Sequence, residues 1–440
     1  MKRDIFTGGW LARRELLRLG AMAGLGAALM PRLALAAADP ETMPRVVALV
    51  DRWVGPGKFP GMIAALGLPG QDTRYAVRGT DGFLDLDPLS PDSLFRIYSM
   101  TKPITGFAAM LLIDEGKLSL DQPVADILPK FAKMQVQVTP DGPLDTVRPA
   151  RTPITIRHLL THTSGLGYSI VQSGPIKMAY ENAGLVAGRV SHMVLPGLGV
   201  GKSAPSLALF ADRLAELPLV YEPGTRWSYG VGLDLLGRVI EVASGQPFDA
   251  FLKQRLFDPL GMASTGFQVP AADAKRLTTN FAAVNGTFIA IDPGDTSIYL
   301  DKPPFPFGGS GLVSSPRDYD RFLLMLANLG AIGGTRVMSE AAVRAGTGNL
   351  LPAGVPRPAA LPPASDFGAG GRVGVGAEAG IFGWAGAAGT VATVDMRRGI
   401  RSGIYVQFMP PDALPLLPEY QQALRDDVMA LIARPTAVGA

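Results

Sequence analysis

Ser99 and Lys102 lie three residues apart at the head of an apolar stretch, and this pair constrains the chain more than any other feature. Ser99 heads a predicted buried helix, which continues through residues 103–112 and ends near residues 115–116. On a helix, positions i and i+3 share a face, so the hydroxyl and the amine would meet one turn apart. No other lysine of the chain has a serine three residues before it. Because a serine hydroxyl becomes nucleophilic when a nearby base takes its proton, the pair predicts catalysis by Ser99 with Lys102 as base.

The first 36 residues predict an export signal that is not part of the fold. The twin arginines Arg13 and Arg14 precede a Gly/Ala-rich apolar run, and that run is followed by small residues typical of a cleavage site. The run is too short to span a bilayer as a helix, so we expect no stable membrane insertion after cleavage. The sequence therefore predicts a twin-arginine signal over 1–36, a mature domain over 37–440, and a periplasmic or secreted protein.

Charge and composition exclude several classes of function. Residues 1–36 carry six basic and two acidic side chains, so the rest of the chain has a net charge near −1 although the whole chain is +3. Nucleic-acid binding is therefore not expected. The chain contains no cysteine, which excludes disulfides and thiolate chemistry. The chain has three histidines in all, which is few for a histidine-rich metal site. We therefore expect neither a metal nor a cofactor.

Strand patterns near both ends of the mature chain, with helices between them, predict an α+β fold. The predicted strands cover residues 62–68, 74–77, 373–375, 390–395 and 404–408. The predicted helices cover residues 43–53, 155–160, 233–244, 247–257, 316–329 and 419–433. We expect an antiparallel sheet that both ends complete, flanked by helices, with a helical insertion over about 103–304. The Gly-rich segment 165–206 is predicted to be irregular and to act as a lid.

Several other segments accompany the Ser99–Lys102 pair in a definite order. They are His158-Leu159-Leu160-Thr161-His162-Thr163-Ser164-Gly165-Leu166, Arg226-Trp227-Ser228-Tyr229-Gly230, Asp258-Pro259-Leu260-Gly261-Met262, Ser310-Gly311-Leu312-Val313-Ser314 and Gly383-Trp384-Ala385-Gly386-Ala387-Ala388-Gly389-Thr390. Their order and spacing resemble the serine β-lactamase-related superfamily, in particular its class C-like branch and the family VIII carboxylesterases. The resemblance covers residues 59–408 and implies a β-lactamase/transpeptidase-like fold.

The resemblance also implies roles for individual residues. Ser99 matches the nucleophile of the Ser-x-x-Lys motif and Lys102 its lysine, while Tyr229 matches the tyrosine of the second motif. The third motif is Trp384-Ala385-Gly386, which would bind substrate. Ala387 follows it and would supply one backbone N–H of an oxyanion hole, with Ser99 supplying the other. A tyrosine beside a lysine can share a proton with it, so Lys102 and Tyr229 together would act as the general base.

Two departures from the β-lactamase pattern favour an ester as substrate. Trp384 stands where a β-lactamase has a lysine, and Ala385 where it has a hydroxyl, so the anchor for a substrate carboxylate is missing. Trp384 offers an apolar wall in its place. The second motif has Val231 where a polar residue often contacts a substrate amide. The expected function is hydrolysis of small carboxylic esters. A β-lactamase or D-alanyl-D-alanine carboxypeptidase is the alternative, and a non-catalytic cell-wall-binding relative is a further one.

Single residues of this set also fit ordinary structural roles. Ser99 taken alone is a plausible helix cap, Tyr229 a packed core tyrosine and Trp384 a core residue. His162 would suit a Ser-His-Asp triad, but its place at a helix end favours a bracing role. The chain has no Gly-x-Ser-x-Gly motif, which counts against an α/β-hydrolase. Residues 196–203 end like a phosphate-binding loop, yet Pro196 replaces the first glycine, so that function is not expected.

Overall fold

The computed structural model of the protein describes residues 42–186, 188–193, 202–284, 287–358, 361 and 365–433. Its strands are β1 (Gly61–Gly67), β2 (Arg74–Gly79), β3 (Phe95–Arg96), β4 (Gln135–Gln137), β5 (Val147–Pro149), β6 (Asn280–Val284), β7 (Thr287–Asp292), β8 (Val313–Ser314), β9 (Ala331–Ile332), β10 (Thr335–Arg336), β11 (Asp366–Phe367), β12 (Arg372–Val373), β13 (Ile381–Ala385), β14 (Val391–Asp395), β15 (Ile400–Tyr405) and β16 (Phe408–Met409). Its helices are α1 (Pro44–Trp53), α2 (Thr101–Asp114), α3 (Ile156–Leu160), α4 (Gly174–Asn182), α5 (Leu207–Ala215), α6 (Gly232–Ser244), α7 (Phe248–Leu252), α8 (Asp258–Leu260), α9 (Pro316–Ala327), α10 (Glu340–Gly346) and α11 (Leu416–Ala433).

One antiparallel sheet contains strands from both ends of the chain. Its seven strands run in the order β11-β12-β13-β14-β15-β1-β2. The early strand β1 pairs with the late strand β15, with Ile63 opposite Tyr405 and Gly67 opposite Arg401. The prediction of an α+β fold whose antiparallel sheet is completed by both ends is therefore confirmed.

Helices cover both faces of this sheet. Met62, Ala64 and Leu66 of β1 pack in one apolar cluster with residues of α1 and α11. Ile63, between them in sequence, belongs to a second cluster on the opposite face with residues of α2 and α9. Successive side chains of a strand point to opposite faces, which explains why every residue of β1 is buried.

Between β2 and β11 the chain builds a region of helices and short strands beside the sheet. Helix α2 is buried from Thr101 to Leu112, in contact with α6, α10 and β13. The hairpin β6–β7 lies beside β16, which pairs with β6 in parallel. Of the residues that the structure describes, none belongs to a helix both long and apolar enough to cross a membrane.

Several predicted elements differ from the observed ones. Residues 165–206, predicted to be irregular, contain α4, and α5 follows directly after this segment. The predicted helix over 247–257 is interrupted by a π turn at Lys253–Phe257, after which α8 continues it. The hairpin β6–β7 was not predicted.

The last sheet strands also differ from their predicted limits. The strand predicted at 404–408 ends at Tyr405, and β16 follows as a separate piece. Strand β13, which contains Trp384 and Ala385, was not predicted. The predicted signal over 1–36 lies outside the described residues, as does most of the loop at 196–203. The domain limits 37–440 and the insertion over about 103–304 stay predictions.

A buried ion pair fixes the strand that leads to Ser99. The guanidinium of Arg96 is fully buried, and its Nε donates to Oδ2 of Asp292 at 2.7 Å. Its Nη2 donates to the hydroxyl of Ser297 at 2.8 Å, and its Nη1 to the carbonyl of Thr278. The carboxylate in turn accepts from the Ile298 N–H at 3.0 Å. Because both charges are out of water, each depends on the other for solvation.

Replacing Asp292 with alanine should lower the free energy of unfolding by about 3–5 kcal/mol, because the Arg96 charge would be left buried without a partner. Urea denaturation followed by circular dichroism measures this change. The matched control is Glu340→Ala, which breaks an ion pair on the surface. In that pair the side chain of Glu340 is 55% exposed and that of Arg344 is 62% exposed. That control should cost about 1 kcal/mol or less. Equal losses in the two variants would contradict the assigned role of the buried pair.

Candidate active site

Ser99 lies in a 3-10 turn, Tyr98–Met100, immediately before α2. The predicted helix therefore begins at Thr101, two residues later than expected. Tyr98 has a φ of +40°, which is strained for a residue other than glycine and interrupts the helical geometry. The buried hydroxyl of Tyr98 accepts a hydrogen bond from the Asn280 side chain at 3.1 Å. Tertiary contacts thus hold the turn that presents Ser99.

The amine of Lys102 is buried beside the Ser99 hydroxyl. Lys102 is 0% exposed, and its Nζ donates to Ser99 Oγ at 3.1 Å. A second hydrogen bond, at 2.6 Å, runs from Nζ to the carbonyl oxygen of Gly309. The amine also lies over the rings of Tyr229 and Tyr168, with Nζ 4.6 and 5.8 Å from their centroids. The spacing of three residues therefore brings the two side chains together.

Tyr229 reaches the same serine from the loop before α6. Its hydroxyl donates to Ser99 Oγ at 2.8 Å. This loop is fastened to the segment after α3, since the Ser228 N–H donates to the carbonyl of His162 at 2.8 Å. Gly230 is needed here, because a Cβ at this position would lie 2.5 Å from the carbonyl oxygen of Leu166. Residues 130 positions apart in the chain are thus brought into hydrogen-bonding distance.

The third motif lies at the end of β13, against the chain that leads to Ser99. A Cβ on Gly386 would lie 2.5 Å from the carbonyl oxygen of Ile97, so the two backbones are in close contact. Trp384 is half-buried and its Nε1 lies 3.5 Å from the Tyr229 hydroxyl, while Ala385 is exposed. Ala387 packs partly buried against a cluster that contains Tyr98. The structure therefore brings the Trp384-Ala385-Gly386 motif and Ala387 to the same place as Ser99.

Aromatic rings surround Trp384 and Tyr229. The ring centroid of Phe367 lies 5.2 Å from that of Trp384 in an edge-on arrangement. Trp227 stacks on Tyr229 with a centroid distance of 6.2 Å, and its ring centroid lies 5.8 Å from that of Phe367. Such rings bury a large apolar area and leave few polar groups to bind a charged substrate. One side of the site is therefore an aromatic wall.

His162 lies behind Tyr229. The centroids of the two rings are 4.6 Å apart, and Nδ1 of the buried imidazole accepts from the Gly230 N–H at 3.4 Å. Burial and the nearby Lys102 charge hold the pKa of His162 well below its usual range, so its ring is neutral at physiological pH. The imidazole thus contacts the loop that carries Tyr229, as expected for a bracing residue.

Part of the predicted lid borders the site. The Arg189 Nη1 donates to the carbonyl of Ile298 at 2.7 Å, and the Tyr299 hydroxyl donates to the carbonyl of Arg189 at 3.1 Å. Val190 packs against the cluster that contains Tyr98 and Ala387. These contacts fasten residues 188–193 beside the Ser99 turn. Lid motion stays a prediction.

Two residues near Lys102 were missed by the sequence analysis. Asp234 is buried in α6 and its Oδ1 accepts from the Gly309 N–H at 2.8 Å. Burial raises the pKa of this carboxyl to about 6, although the Lys102 charge and the Gly309 N–H both lower it. The available signal was an aspartate within the otherwise apolar run Leu233-Asp234-Leu235-Leu236. Gly309 carried no comparable signal.

The described part of the chain contains no cluster of three His, Asp or Glu side chains able to hold a metal ion. The polar groups that converge on this site are one hydroxyl, one amine and one phenol. This arrangement suits nucleophilic chemistry at Ser99 with proton transfer to Lys102 and Tyr229.

Comparisons with known proteins find a family model, relatives and solved structures that this chain resembles. A model of the Beta-lactamase family matches residues 46–425. An uncharacterised protein of Mycobacterium tuberculosis (strain CDC 1551 / Oshkosh) is 40% identical over 266 residues, which are 60% of this chain and 62% of that protein. The chain thus aligns with less than two thirds of that relative's length.

A second relative and a solved structure extend the comparison. Esterase EstB of Burkholderia gladioli is 31% identical over 325 residues, covering 69% of this chain and 75% of the esterase. The solved structure of EstCE1, described as a hydrolase with promiscuous acyltransferase activity, superposes with a TM-score of 0.70. It is 24% identical and covers 89% of this chain and 99% of that one, so it supports the fold.

Proposed function

This chain belongs to the β-lactamase family, and from that premise we propose that it is a serine hydrolase that cleaves small carboxylic esters. The observation that carries the proposal is the convergence on one hydroxyl of a buried amine and a phenol. Ser99 Oγ accepts from Lys102 Nζ at 3.1 Å and from the Tyr229 hydroxyl at 2.8 Å. A structural serine needs no such pair, whereas a nucleophile needs a group that takes its proton.

The proposed first step forms an acyl-enzyme. One member of the Lys102–Tyr229 pair, unprotonated when the reaction starts, takes the Ser99 proton while Oγ forms a bond to the ester carbonyl carbon. The electron pair that moves to the carbonyl oxygen is stabilised by the backbone N–H groups of Ser99 and Ala387. The tetrahedral intermediate then breaks its bond to the alcohol oxygen, and the alcohol leaves with the proton from the pair.

The second step releases the acid. A water molecule gives a proton to the same pair and attacks the acyl carbon, and the bond from that carbon to Oγ breaks. Oγ recovers its proton, so the carboxylic acid leaves and the enzyme returns to its starting state. General-base assistance of this kind contributes about 10²–10⁴ in rate, and one oxyanion donor about 10²–10³.

The aromatic wall supports a neutral ester over a β-lactam or a peptide terminus. Trp384 and Ala385 carry no charged group to pair with the carboxylate that those substrates present. The name of the relative Esterase EstB, 31% identical, points the same way. A β-lactamase or D-alanyl-D-alanine carboxypeptidase is the second candidate, and the matching family model favours it. The presence of Ser99, Lys102 and Tyr229 in contact counts against a non-catalytic binding protein.

The purified protein should hydrolyse p-nitrophenyl butyrate, and Ser99→Ala should abolish this activity without unfolding. Lys102→Ala should lower kcat by about 10²–10⁴, because the serine loses its base. Initial rates, with circular dichroism as the check on folding, measure both effects. The matched control is Lys117→Ala, whose side chain is 51% exposed, and it should keep the wild-type rate.

Two results would contradict this proposal. An unchanged rate in Lys102→Ala would remove the assigned base. Turnover of a chromogenic cephalosporin at a rate that rivals the butyrate ester would favour the β-lactamase candidate.

Replacing Trp384 with lysine should change the charge preference of the site. A cation at this position can pair with a carboxylate, so kcat/KM for p-nitrophenyl hemisuccinate relative to p-nitrophenyl butyrate should rise about tenfold or more. The control Trp384→Phe keeps an apolar wall and should keep the wild-type ratio. An unchanged ratio of the two kcat/KM values in Trp384→Lys would mean that Trp384 does not contact the substrate acyl group.

A further inference from the structure

The carboxylate of Asp234 is buried close to Lys102 but has no part in the chemical steps above. Asp234 is 1% exposed, and its Oδ1 accepts from the Gly309 N–H at 2.8 Å. Its Oδ2 has no hydrogen-bond partner among the residues that the structure describes. A buried carboxylate oxygen without a partner is costly, so a core position would be better filled by an apolar residue.

The peptide groups of Gly309 connect this carboxylate to the amine. Gly309 donates its N–H to Asp234 and accepts from Lys102 Nζ at 2.6 Å through its carbonyl oxygen. Only glycine fits between them, since a Cβ would lie 2.5 Å from Asp234 Oδ2. The Thr105 hydroxyl donates to the carbonyl of the preceding Gly308 at 2.7 Å, which fastens the same loop to α2. The result is a continuous hydrogen-bonded chain from Asp234 through Gly309 and Lys102 to Ser99.

A negative charge at one end of such a chain strengthens the bonds along it. Hydrogen bonds in a low-dielectric interior polarise one another, and a bond to an ionised acceptor is stronger than one to a neutral acceptor. The titratable and charged groups near Asp234 are Lys102 on α2 and Tyr168 in the segment after α3. Of these, Lys102 belongs to the hydrogen-bonded chain, since the Gly309 peptide links it to Asp234.

We infer that Asp234 is a positioning residue, which holds the Lys102 amine beside Ser99 through the Gly309 peptide. The inference rests on the proposed role of Ser99 as nucleophile. Asp234 does not touch the substrate, so its contribution lies in the orientation and environment of the amine.

The experiment compares Asp234→Asn with wild type, using two readouts. One is the kcat and KM for p-nitrophenyl butyrate, and the other is the rate at which a fluorophosphonate labels Ser99. The asparagine keeps an oxygen for the Gly309 N–H but removes the charge. We expect kcat and the labelling rate at pH 8 to fall about tenfold or more, with KM changed by about twofold or less. Loss of an outer-shell hydrogen-bond partner of a metal ligand has an effect of this size on activity.

The dependence on pH separates this role from a structural one. Because burial raises the pKa of Asp234 to about 6, the wild-type carboxyl is ionised at pH 8 and becomes protonated below pH 6. The ratio of wild-type to Asp234→Asn rates should therefore be largest at pH 8 and approach one at pH 5. The matched control is Asp318→Asn. Asp318 is a buried carboxylate with a raised pKa that accepts from the Ser264 N–H at 2.7 Å, and its variant should keep the wild-type rate at both pH values.

Each outcome decides the inference. A ratio near one at pH 8, or a ratio that does not depend on pH, would overturn it. If Asp234→Asn does not fold, the variant Gly309→Ala tests the inference. Its Cβ would displace the Asp234 carboxylate, while the side chains of Asp234 and Lys102 both remain. A fall in labelling rate then supports the inference, and a wild-type rate overturns it. Failure of the proposed ester hydrolysis gives a different result, since wild type would then label with fluorophosphonate but not turn over the ester.

Discussion

The burial of the Lys102 amine against the Ser99 hydroxyl is the constraint on which the rest of the site depends. An amine withdrawn from water must find hydrogen-bond acceptors, and here they are the serine oxygen and the carbonyl of Gly309. The rings of Tyr229 and Tyr168 lie beside it and exclude solvent. Three separate parts of the chain therefore have to meet at one point: the start of α2, the loop before α6 and the glycine-rich loop at residues 308–311. Any fold that buries this lysine productively must bring these parts together.

Two parts of the fold hold the Ser99 turn in place, one on each side of it. Strand β13 ends against the backbone before Ser99, and the close contact at Gly386 requires a residue without a side chain. The buried Arg96–Asp292 pair fixes the strand that enters the Ser99 turn from the other direction. The strained Tyr98 between them is held by Asn280 of the β6–β7 hairpin. Much of the molecule thus contributes to the position of one hydroxyl, which is consistent with the preorganisation that nucleophilic catalysis needs.

The sequence predicted the parts of this arrangement that depend on local spacing. The interval between Ser99 and Lys102 is a helical one, and the two side chains are in contact although Ser99 lies in the turn before α2. Tyr229 and Trp384 could be placed only through the resemblance to a family, since nothing local links them to Ser99 across more than a hundred residues. Asp234 was missed because its partner Gly309 lies 75 residues away and contributes only backbone atoms. Helix α4 was missed for a different reason. Its sequence begins with Gly174 and Pro175 in a glycine-rich segment, and tertiary packing of Ile176 and Tyr180 stabilises it in spite of weak local preference.

The measurement that tests the account most directly is rapid-quench mass spectrometry of the purified protein mixed with p-nitrophenyl butyrate, followed by peptide mapping. The account predicts a transient butyryl group on the peptide that contains Ser99, with none formed in Ser99→Ala. A butyryl group on a different residue, or ester turnover that persists in Ser99→Ala, would contradict it.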